Sequence, residues 1–95
     1  MLGIAYIADI PPRSKNACKQ SLYFLFIRQR PDRVVIKDEW ILKTINDPNK
    51  TEVQADRRIR KWSYIEEVGK YLRVILLEDG ETVHNAFFDR SFKED

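Results

Sequence analysis

Two apolar runs on either side of the dipeptide Asp79-Gly80 constrain this chain more than any other feature of its sequence. The stretch from Lys70 to Arg90 is rich in β-branched and aromatic residues, and Asp79-Gly80 lies near its middle. Asp-Gly suits a two-residue type I′ turn, in which both central residues need a positive φ. The stretch therefore predicts a β-hairpin that closes at Asp79-Gly80.

A two-residue loop sets the register of this hairpin and so divides its side chains between two faces. The first predicted face holds three cross-strand pairs and is mostly apolar: Leu76 with Val83, Val74 with Asn85, and Leu72 with Phe87. The second face holds Tyr71, Arg73, Ile75, His84, Ala86 and Phe88. A slip of one residue would move Arg73 and His84 into the core, so we predict that the first face packs on the core.

Length and composition favour one small cytoplasmic domain. A chain of 95 residues suits one domain, and the single cysteine, Cys18, excludes an internal disulfide framework. One cysteine and one histidine offer no metal-ligand cluster, so we predict no metal and no cofactor. The longest apolar run, Leu22 to Ile27, is far too short to span a membrane. Asp9 and Pro11 interrupt the apolar opening, which argues against a secretory signal.

The N-terminal half of the chain predicts short elements separated by prolines. Met1 to Ile10 predicts a strand that ends at Pro11-Pro12. Residues 14–29 predict a helix capped by Ser14, although the run Leu22 to Ile27 could equally form a buried strand. A break at residues 30–33 precedes a short predicted strand, Val34 to Ile36.

The remainder predicts a helix followed by a meander of strands. Asp38 is predicted to cap a helix that stops at residues 46–48. Strands are predicted at residues 51–55, 58–65 and in the two arms of the hairpin, with turns at residues 56–57 and 66–69 and a charged tail at 91–95. The predicted fold is α+β: an antiparallel meander sheet of about four strands with one or two helices packed on one face.

The segment from about Val34 to Lys93 resembles a group of short bacterial proteins. The resemblance lies in DEWILKTINDP, TEVQADRRIRKWSYI and KYLRVILLEDGETVHNAFFDRSFK. These stretches are similar to short cyanobacterial proteins akin to the domain-of-unknown-function 4258 group, which is similar in pattern to BrnT and more distantly to RelE/ParE toxins. The resemblance covers about 60 of the 95 residues. It implies a helix packed on an antiparallel sheet and a place in a toxin–antitoxin pair.

The resemblance begins near Arg33, and the composition changes at Pro31. Residues 1–34 carry six basic and two acidic residues, whereas residues 35–95 carry eleven basic and thirteen acidic ones. We therefore predict an N-terminal extension over residues 1–32 and a small α+β domain over residues 33–95.

RelE-type ribonucleases act on RNA without metal and need a base, an acid and a cation that stabilises the transition state. The resemblance therefore directs attention to the second hairpin face, where the predicted catalytic residues are His84, Arg73 and Tyr71. Aromatic side chains among cations suit stacking on unpaired bases. The predicted RNA- or partner-binding residues are Arg57, Arg58, Arg60, Lys61, Trp62, Tyr64, Arg90 and Lys93.

Each of these residues also has a plainer interpretation. A lone strand histidine such as His84 is commonly structural, and Arg73 could pair with Glu66, Glu67 or Asp89. The net acidity of residues 35–95 argues against an RNA-binding domain. The function predicted from the resemblance is a RelE/BrnT-like toxin that acts on RNA and binds a cognate antitoxin. The alternative is a non-catalytic protein-interaction module or a degenerate relative of such toxins.

Overall fold

Three short helices precede one four-stranded sheet in the part of the chain that the computed structural model describes, residues 19–93. The elements are α1 (Leu22–Ile27), α2 (Pro31–Val34), α3 (Asp38–Asn46), β1 (Lys50–Val53), β2 (Ile59–Ile65), β3 (Lys70–Leu76) and β4 (Val83–Phe88). The strands are antiparallel and lie in the order β1-β2-β3-β4. This confirms the predicted α+β meander. The predicted strand at residues 1–10, the Ser14 cap and Cys18 lie outside the described residues.

The helix α1 begins at Leu22 because Ser21 caps it. The Ser21 Oγ accepts a hydrogen bond of 3.0 Å from the backbone N–H of Phe24. Just before the helix, the Val83 N–H donates to the Lys19 carbonyl oxygen and the Ser21 N–H donates to the Val83 carbonyl oxygen. These bonds align residues 19–21 along β4. The helical alternative for this run is therefore confirmed, but the predicted helix over residues 14–29 is wrong in its extent, since residues 19–21 are not helical.

The predicted strand at residues 34–36 is wrong, because the chain makes a helical turn there. Pro31 occupies the first helical position of α2, where its fixed φ suits the helix and its missing N–H costs nothing. The N–H groups of Arg33 and Val34 both donate to the carbonyl oxygen of Arg30. Ile36 follows this turn and is buried in the core rather than paired in a sheet.

The helix α3 confirms the predicted helix and corrects its first residue. Lys37 is the N-cap, it makes no side-chain cap hydrogen bond, and Asp38 is already helical. The Asp38 and Glu39 carboxylates lie in the first turn, where the helix dipole favours negative charge. Trp40 and Ile41 are buried against the sheet.

The predicted turn between β1 and β2 is confirmed at residues 56–57, although its loop also includes Ala55, and it carries backbone strain at Arg57. The Arg57 N–H donates to the Gln54 carbonyl oxygen, and the Gln54 N–H donates to the Arg58 carbonyl oxygen, which encloses a three-residue loop. Arg57 has a φ of +72°, in the left-handed region that glycine adopts without a Cβ clash. A type I turn followed by one left-handed residue accounts for this loop.

We expect Arg57→Gly to increase the free energy of unfolding by about 1 kcal/mol, because it removes the Cβ from a left-handed residue. The lost ion pair with Glu78 is exposed and long, at 3.8 Å, so its removal should change little. Urea unfolding of the full chain measures the effect. Arg57→Ala is the control, since it deletes the same guanidinium but keeps the Cβ. Equal stabilities of the glycine and alanine variants would contradict the strain argument.

The β3–β4 hairpin closes differently from the predicted two-residue turn. The Leu77 N–H donates to the Thr82 carbonyl oxygen, so four residues form the loop. Within the loop, Gly80 has a φ of +73°, and the Asp79 carboxylate accepts hydrogen bonds from the backbone N–H groups of Glu81 and Thr82. This side-chain capping of the backbone replaces the type I′ geometry.

A β-bulge then corrects the predicted register. Leu76 pairs with Val83 as predicted, but Ile75 pairs with Asn85, which leaves His84 as the extra residue. Beyond the bulge, every pair differs by one residue from the prediction: Val74 with Ala86, Arg73 with Phe87, and Leu72 with Phe88. The bulge therefore moves Ala86 and Phe88 to the core face and Asn85 and Phe87 to the opposite face.

The core lies between the helices and one face of the sheet. Its helical side consists of Phe24, Ile27, Ile36, Trp40 and Ile41, and its sheet side consists of Ile65, Leu72, Val74, Leu76, Val83 and Ala86. Phe24 and Ile27 precede the predicted domain boundary at residue 33, yet they pack in the same core as the sheet. Within residues 19–93, no helix is long and apolar enough to cross a membrane.

Candidate functional site

Arg73 lies on the sheet face opposite the core, between two aromatic rings. Its cross-strand partners are Trp62 on β2 and Phe87 on β4. The guanidinium carbon lies 5.3 Å from the Trp62 ring centroid and 5.0 Å from the Phe87 ring centroid. Arg33 reaches Phe87 as well, at 5.4 Å. We use the name aromatic face for Arg73 and the rings grouped with it: Trp62, Tyr64, Tyr71, Phe87 and Phe92.

Phe92 extends the aromatic face from the segment after β4, which the sequence analysis described only as a charged tail. Its ring stacks on Trp62 with centroids 4.8 Å apart and an interplanar angle of 13°. Tyr71 meets Phe92 edge-on at 4.9 Å, and Tyr64 meets Tyr71 edge-on at 5.1 Å. Trp62 is only 3% exposed, so its ring is a packing element. Tyr64, with 40% of its surface exposed, is the most accessible of these rings.

Asp89 holds the centre of the aromatic face together. Its Oδ2 accepts hydrogen bonds from Trp62 Nε1 at 3.0 Å and from Arg73 Nε and Nη2 at 3.1 and 2.7 Å. Its Oδ1 accepts from the Ser91 backbone N–H and hydroxyl. Burial alone would raise the pKa of Asp89, but hydrogen bonds from Trp62, Ser91 and Arg73 outweigh it and lower the pKa to about 2. Asp89 is therefore ionised and fully partnered.

Arg73 is consequently occupied by a structural network. Of the three alternative acidic partners considered from the sequence, the structure selects Asp89. A phosphate would have to compete with a buried carboxylate that already takes two guanidinium hydrogen bonds. Two of the three guanidinium nitrogens of Arg73, Nε and Nη2, are thus bonded to Asp89.

His84 contacts the start of α1, whereas Arg73 contacts Asp89, and the predicted catalytic grouping of these two residues stays a prediction. His84 lies at the bulge, where its Nδ1 is 3.0 Å from the Ser21 Oγ and its ring stacks on Tyr23 at 4.9 Å. Both partners belong to the start of α1. Partial burial lowers the pKa of His84 below its usual value, and the positive charge of Arg58 lowers it further. The imidazole is therefore mainly neutral at pH 7.

The basic run after β1 is distributed over several acidic partners. Arg57 pairs with Glu78, Arg58 with Asp56, and Arg60 with Glu52, over 3.7 to 3.9 Å. Lys61 points to the helical side and donates to the Ile45 carbonyl oxygen at 2.8 Å. Each of these four cations thus has a carboxylate or carbonyl partner within the chain. The other two predicted binding residues, Arg90 and Lys93, are exposed after β4.

Within residues 19–93, several exposed apolar side chains are grouped on α1, where the sequence analysis proposed no site. Phe24 and Ile27 are buried, while Leu22 is 84% and Phe26 70% exposed, and Leu25 is exposed between them. Leu22, Leu25 and Phe26 occupy positions i, i+3 and i+4, which share one side of a helix. We call these three residues the α1 face. Val34 and Val35 are exposed a few residues later.

One sequence signal could have identified the α1 face. All six residues from Leu22 to Ile27 are apolar or aromatic, yet a helix packed on one sheet buries only one side. An apolar run that adopts a helix must therefore expose part of its apolar surface. Treating the same run as a buried strand conceals this consequence, because a central strand buries both faces.

The described residues contain no cluster suited to a metal. Among residues 19–93, no group of three or more histidine, cysteine, aspartate or glutamate side chains could hold a metal ion. Comparisons of the chain with known protein families, with curated proteins and with solved structures found no match.

Proposed function

We propose that this chain is a non-catalytic protein-interaction module that binds a second protein through the α1 face. The observation that carries the proposal is the exposure of Leu22 and Phe26, at 84% and 70%, on one side of a helix anchored to the core. Large apolar side chains grouped on an otherwise charged surface are typical of protein-binding sites. The resemblance to toxin–antitoxin components supports a two-protein pair as the setting.

The arrangement of the charged groups supports a binding module over a ribonuclease. Metal-independent RNA cleavage needs a base, an acid and a cation around one phosphate. Here His84 contacts α1 residues, whereas Arg73 is held by Asp89 on the aromatic face. The cations of the β1–β2 hairpin are each paired with a carboxylate or a carbonyl oxygen. A degenerate toxin relative that retained only partner binding accounts for this arrangement.

We expect a double variant, Leu22→Ser with Phe26→Ser, to lose the partner while remaining folded. The experiment captures partners of the tagged full chain by cross-linking in the source cells, identifies them by mass spectrometry, and reconstitutes the complex from purified proteins. Val53→Ser is the matched control, because Val53 is 71% exposed but lies on β1. A partner that binds the native chain and the Val53 variant, and binds the double variant at least about tenfold more weakly, would support the proposal.

A second arm tests the ribonuclease alternative. The native chain, His84→Ala and Arg73→Ala are expressed at equal levels in a bacterial host, and growth is followed. We expect no difference in growth among the three. Growth arrest by the native chain that both substitutions relieve would overturn the non-catalytic proposal. A partner that binds the double variant as tightly as the native chain would reject the α1 face as the site.

A further inference from the structure

Positive charge borders the α1 face. Residues 19–37 contain five basic side chains and a single acidic one, Asp32; the basic ones are Lys19, Arg28, Arg30, Arg33 and Lys37. Arg30 follows the helix directly, and its backbone N–H donates to the Ile27 carbonyl oxygen at 3.1 Å. The Gln29 N–H likewise donates to the Phe26 carbonyl oxygen. The apolar residues are therefore followed immediately by a cationic segment.

Part of this charge is not neutralised within the chain. Lys19 pairs with Glu81 at 3.5 Å, and Arg28 pairs with Asp38 at the start of α3. Arg33 has Asp32, at 3.5 Å, as its acidic partner. Arg30 is exposed and forms no ion pair with any residue between 19 and 93. The amino group of Lys37 lies 5.4 Å from the centroid of the Trp40 ring. Arg30, four residues after Phe26, is thus a cation without an acidic partner among the described residues.

We propose that the occupant of the α1 face is an amphipathic helix of a second protein, with carboxylates beside its apolar stripe. This inference rests on the proposed function and specifies the chemistry of the partner. Leu22, Leu25 and Phe26 supply the apolar contact, and Arg30 meets the partner's carboxylates. A helix suits the site because the i and i+4 side chains of α1 form a ridge that packs into the groove of a facing helix.

The short length of the α1 face makes charge decisive for partner choice. From Leu22 to Phe26 the helix rises only about 6 Å, so few apolar side chains of a partner can be buried. Complementary charge at the rim raises the association rate and excludes partners of the same sign. An apolar segment flanked by lysine or arginine would place like charges against Arg30.

The same charge argues against a second copy of this chain as the occupant. A twofold dimer brings the same patch of both copies together. Such a contact through the α1 face would bring the Arg30 cations of two chains, which have no acidic partner among the described residues, into one interface. Like charges at an interface oppose association. The experiment below therefore counts a homodimer through the α1 face as a result that overturns the inference.

The test uses two synthetic helical peptides of equal length with the same leucine stripe at positions i, i+3, i+4 and i+7. Glutamate flanks the stripe in one peptide, and lysine flanks it in the other. Fluorescence anisotropy measures the binding of each labelled peptide to the full chain. We expect the glutamate peptide to bind at least about tenfold more tightly, and its affinity to fall steeply as the salt concentration rises to about 1 M, where charges are screened beyond about 3 Å.

Three variants of the full chain assign the binding to the α1 face. Phe26→Ser should weaken binding of the glutamate peptide, and Arg30→Glu should reverse the preference between the two peptides. Lys70→Glu is the matched charge control, because Lys70 is exposed at the start of β3. The other end of β3, Leu76, pairs with Val83, which is bonded to the residues just before α1. The Lys70→Glu variant should leave the preference unchanged. Circular dichroism of each variant establishes that the fold persists.

Other results would overturn the inference without removing the proposed function. Equal binding of the two peptides, or no binding of either, would reject an acidic partner. The proposed function would still stand if a cross-linked partner bound in a way that depends on Phe26. Self-association in sedimentation velocity that Phe26→Ser abolishes would assign the face to a second copy. Tighter peptide binding after Ile4→Ser with Ile7→Ser would assign the face to the chain's own N-terminal segment.

Discussion

Phe24→Ala is expected to lower the free energy of unfolding by about 3 to 5 kcal/mol, the range for truncating a fully buried phenylalanine. Phe24 is 2% exposed and, with Ile27, is one of the two buried residues of α1. A helix of six residues is not stable in water by itself, so its packing on the sheet holds it in place. The loss of the Phe24 ring should therefore loosen the whole α1 face.

Phe26→Ala is the matched control, two positions along the same helix. Its side chain is 70% exposed, so its truncation should change stability by less than about 0.5 kcal/mol. Urea unfolding of the two full-length variants measures the contrast. In the peptide assay, both variants should bind weakly, but only Phe24→Ala should also be destabilised. Similar unfolding midpoints for the two variants would refute the packing of α1 that we describe.

Asp89→Asn is expected to cost about 3 kcal/mol. The substitution keeps the shape of the side chain but removes the charge that partners Arg73 and replaces one acceptor oxygen with a donor group. The side chains of Asp89 and Arg73 are 7% and 24% exposed, so the cation left behind is poorly hydrated. The loss of stability is this large because the substitution removes one member of a buried ion pair and a hydrogen bond from the Trp62 indole.

The same variant should change how stability depends on pH. The pKa of Asp89 is lowered to about 2 in the folded chain, whereas an unfolded aspartate titrates near pH 4. The stabilisation is therefore fully present above pH 4 and is lost as the pH falls towards 2, by about 2 kcal/mol. Asp89→Asn should flatten this part of the profile. Hydrogen bonds from Thr82 and Glu81 lower the pKa of Asp79 to about 2 as well. Asp79 still titrates in the variant, so its part of the pH dependence remains.

Asp32→Asn is the control for Asp89→Asn, because it makes the same chemical change on an exposed residue of α2. Its long ion pair with Arg33, at 3.5 Å, should contribute little. Urea unfolding at a series of pH values between 2 and 7 compares the two variants. An Asp89 variant as stable as the Asp32 variant at neutral pH would refute the role of Asp89 as the centre of the aromatic face.

Much of the fold could be predicted from the sequence because its signals are local. The helix α3 follows from the apolar spacing after Asp38 and from the stop at Pro48. The turns at residues 56–57 and 66–69 follow from short polar segments between strand-forming runs. The pairing of Trp62 with Arg73 then follows from the short connection between β2 and β3.

The candidate sites were harder to predict because they depend on which residues a single bulge moves. The sequence places His84 and Arg73 on the same face of a regular hairpin. The four-residue loop and the bulge at His84 shift the register, and the bulge residue contacts Ser21 of a different element. No local sequence pattern indicates such a bulge. The predicted and the observed pairings of β4 differ by one residue, and both place apolar side chains of β4 on the core face.

By itself, the sequence determined the fold class and the order of the elements from residue 38 onward: a helix followed by an antiparallel meander. It also narrowed the partner of Arg73 to three acidic residues. The tertiary structure alone decided that this partner is Asp89, that Trp62 lies beneath Phe92, and that Leu22 and Phe26 remain exposed. The physical reason is that periodicity and turn chemistry act over a few residues. Burial, ion pairing and the orientation of a short helix depend on contacts between elements that are distant in the chain.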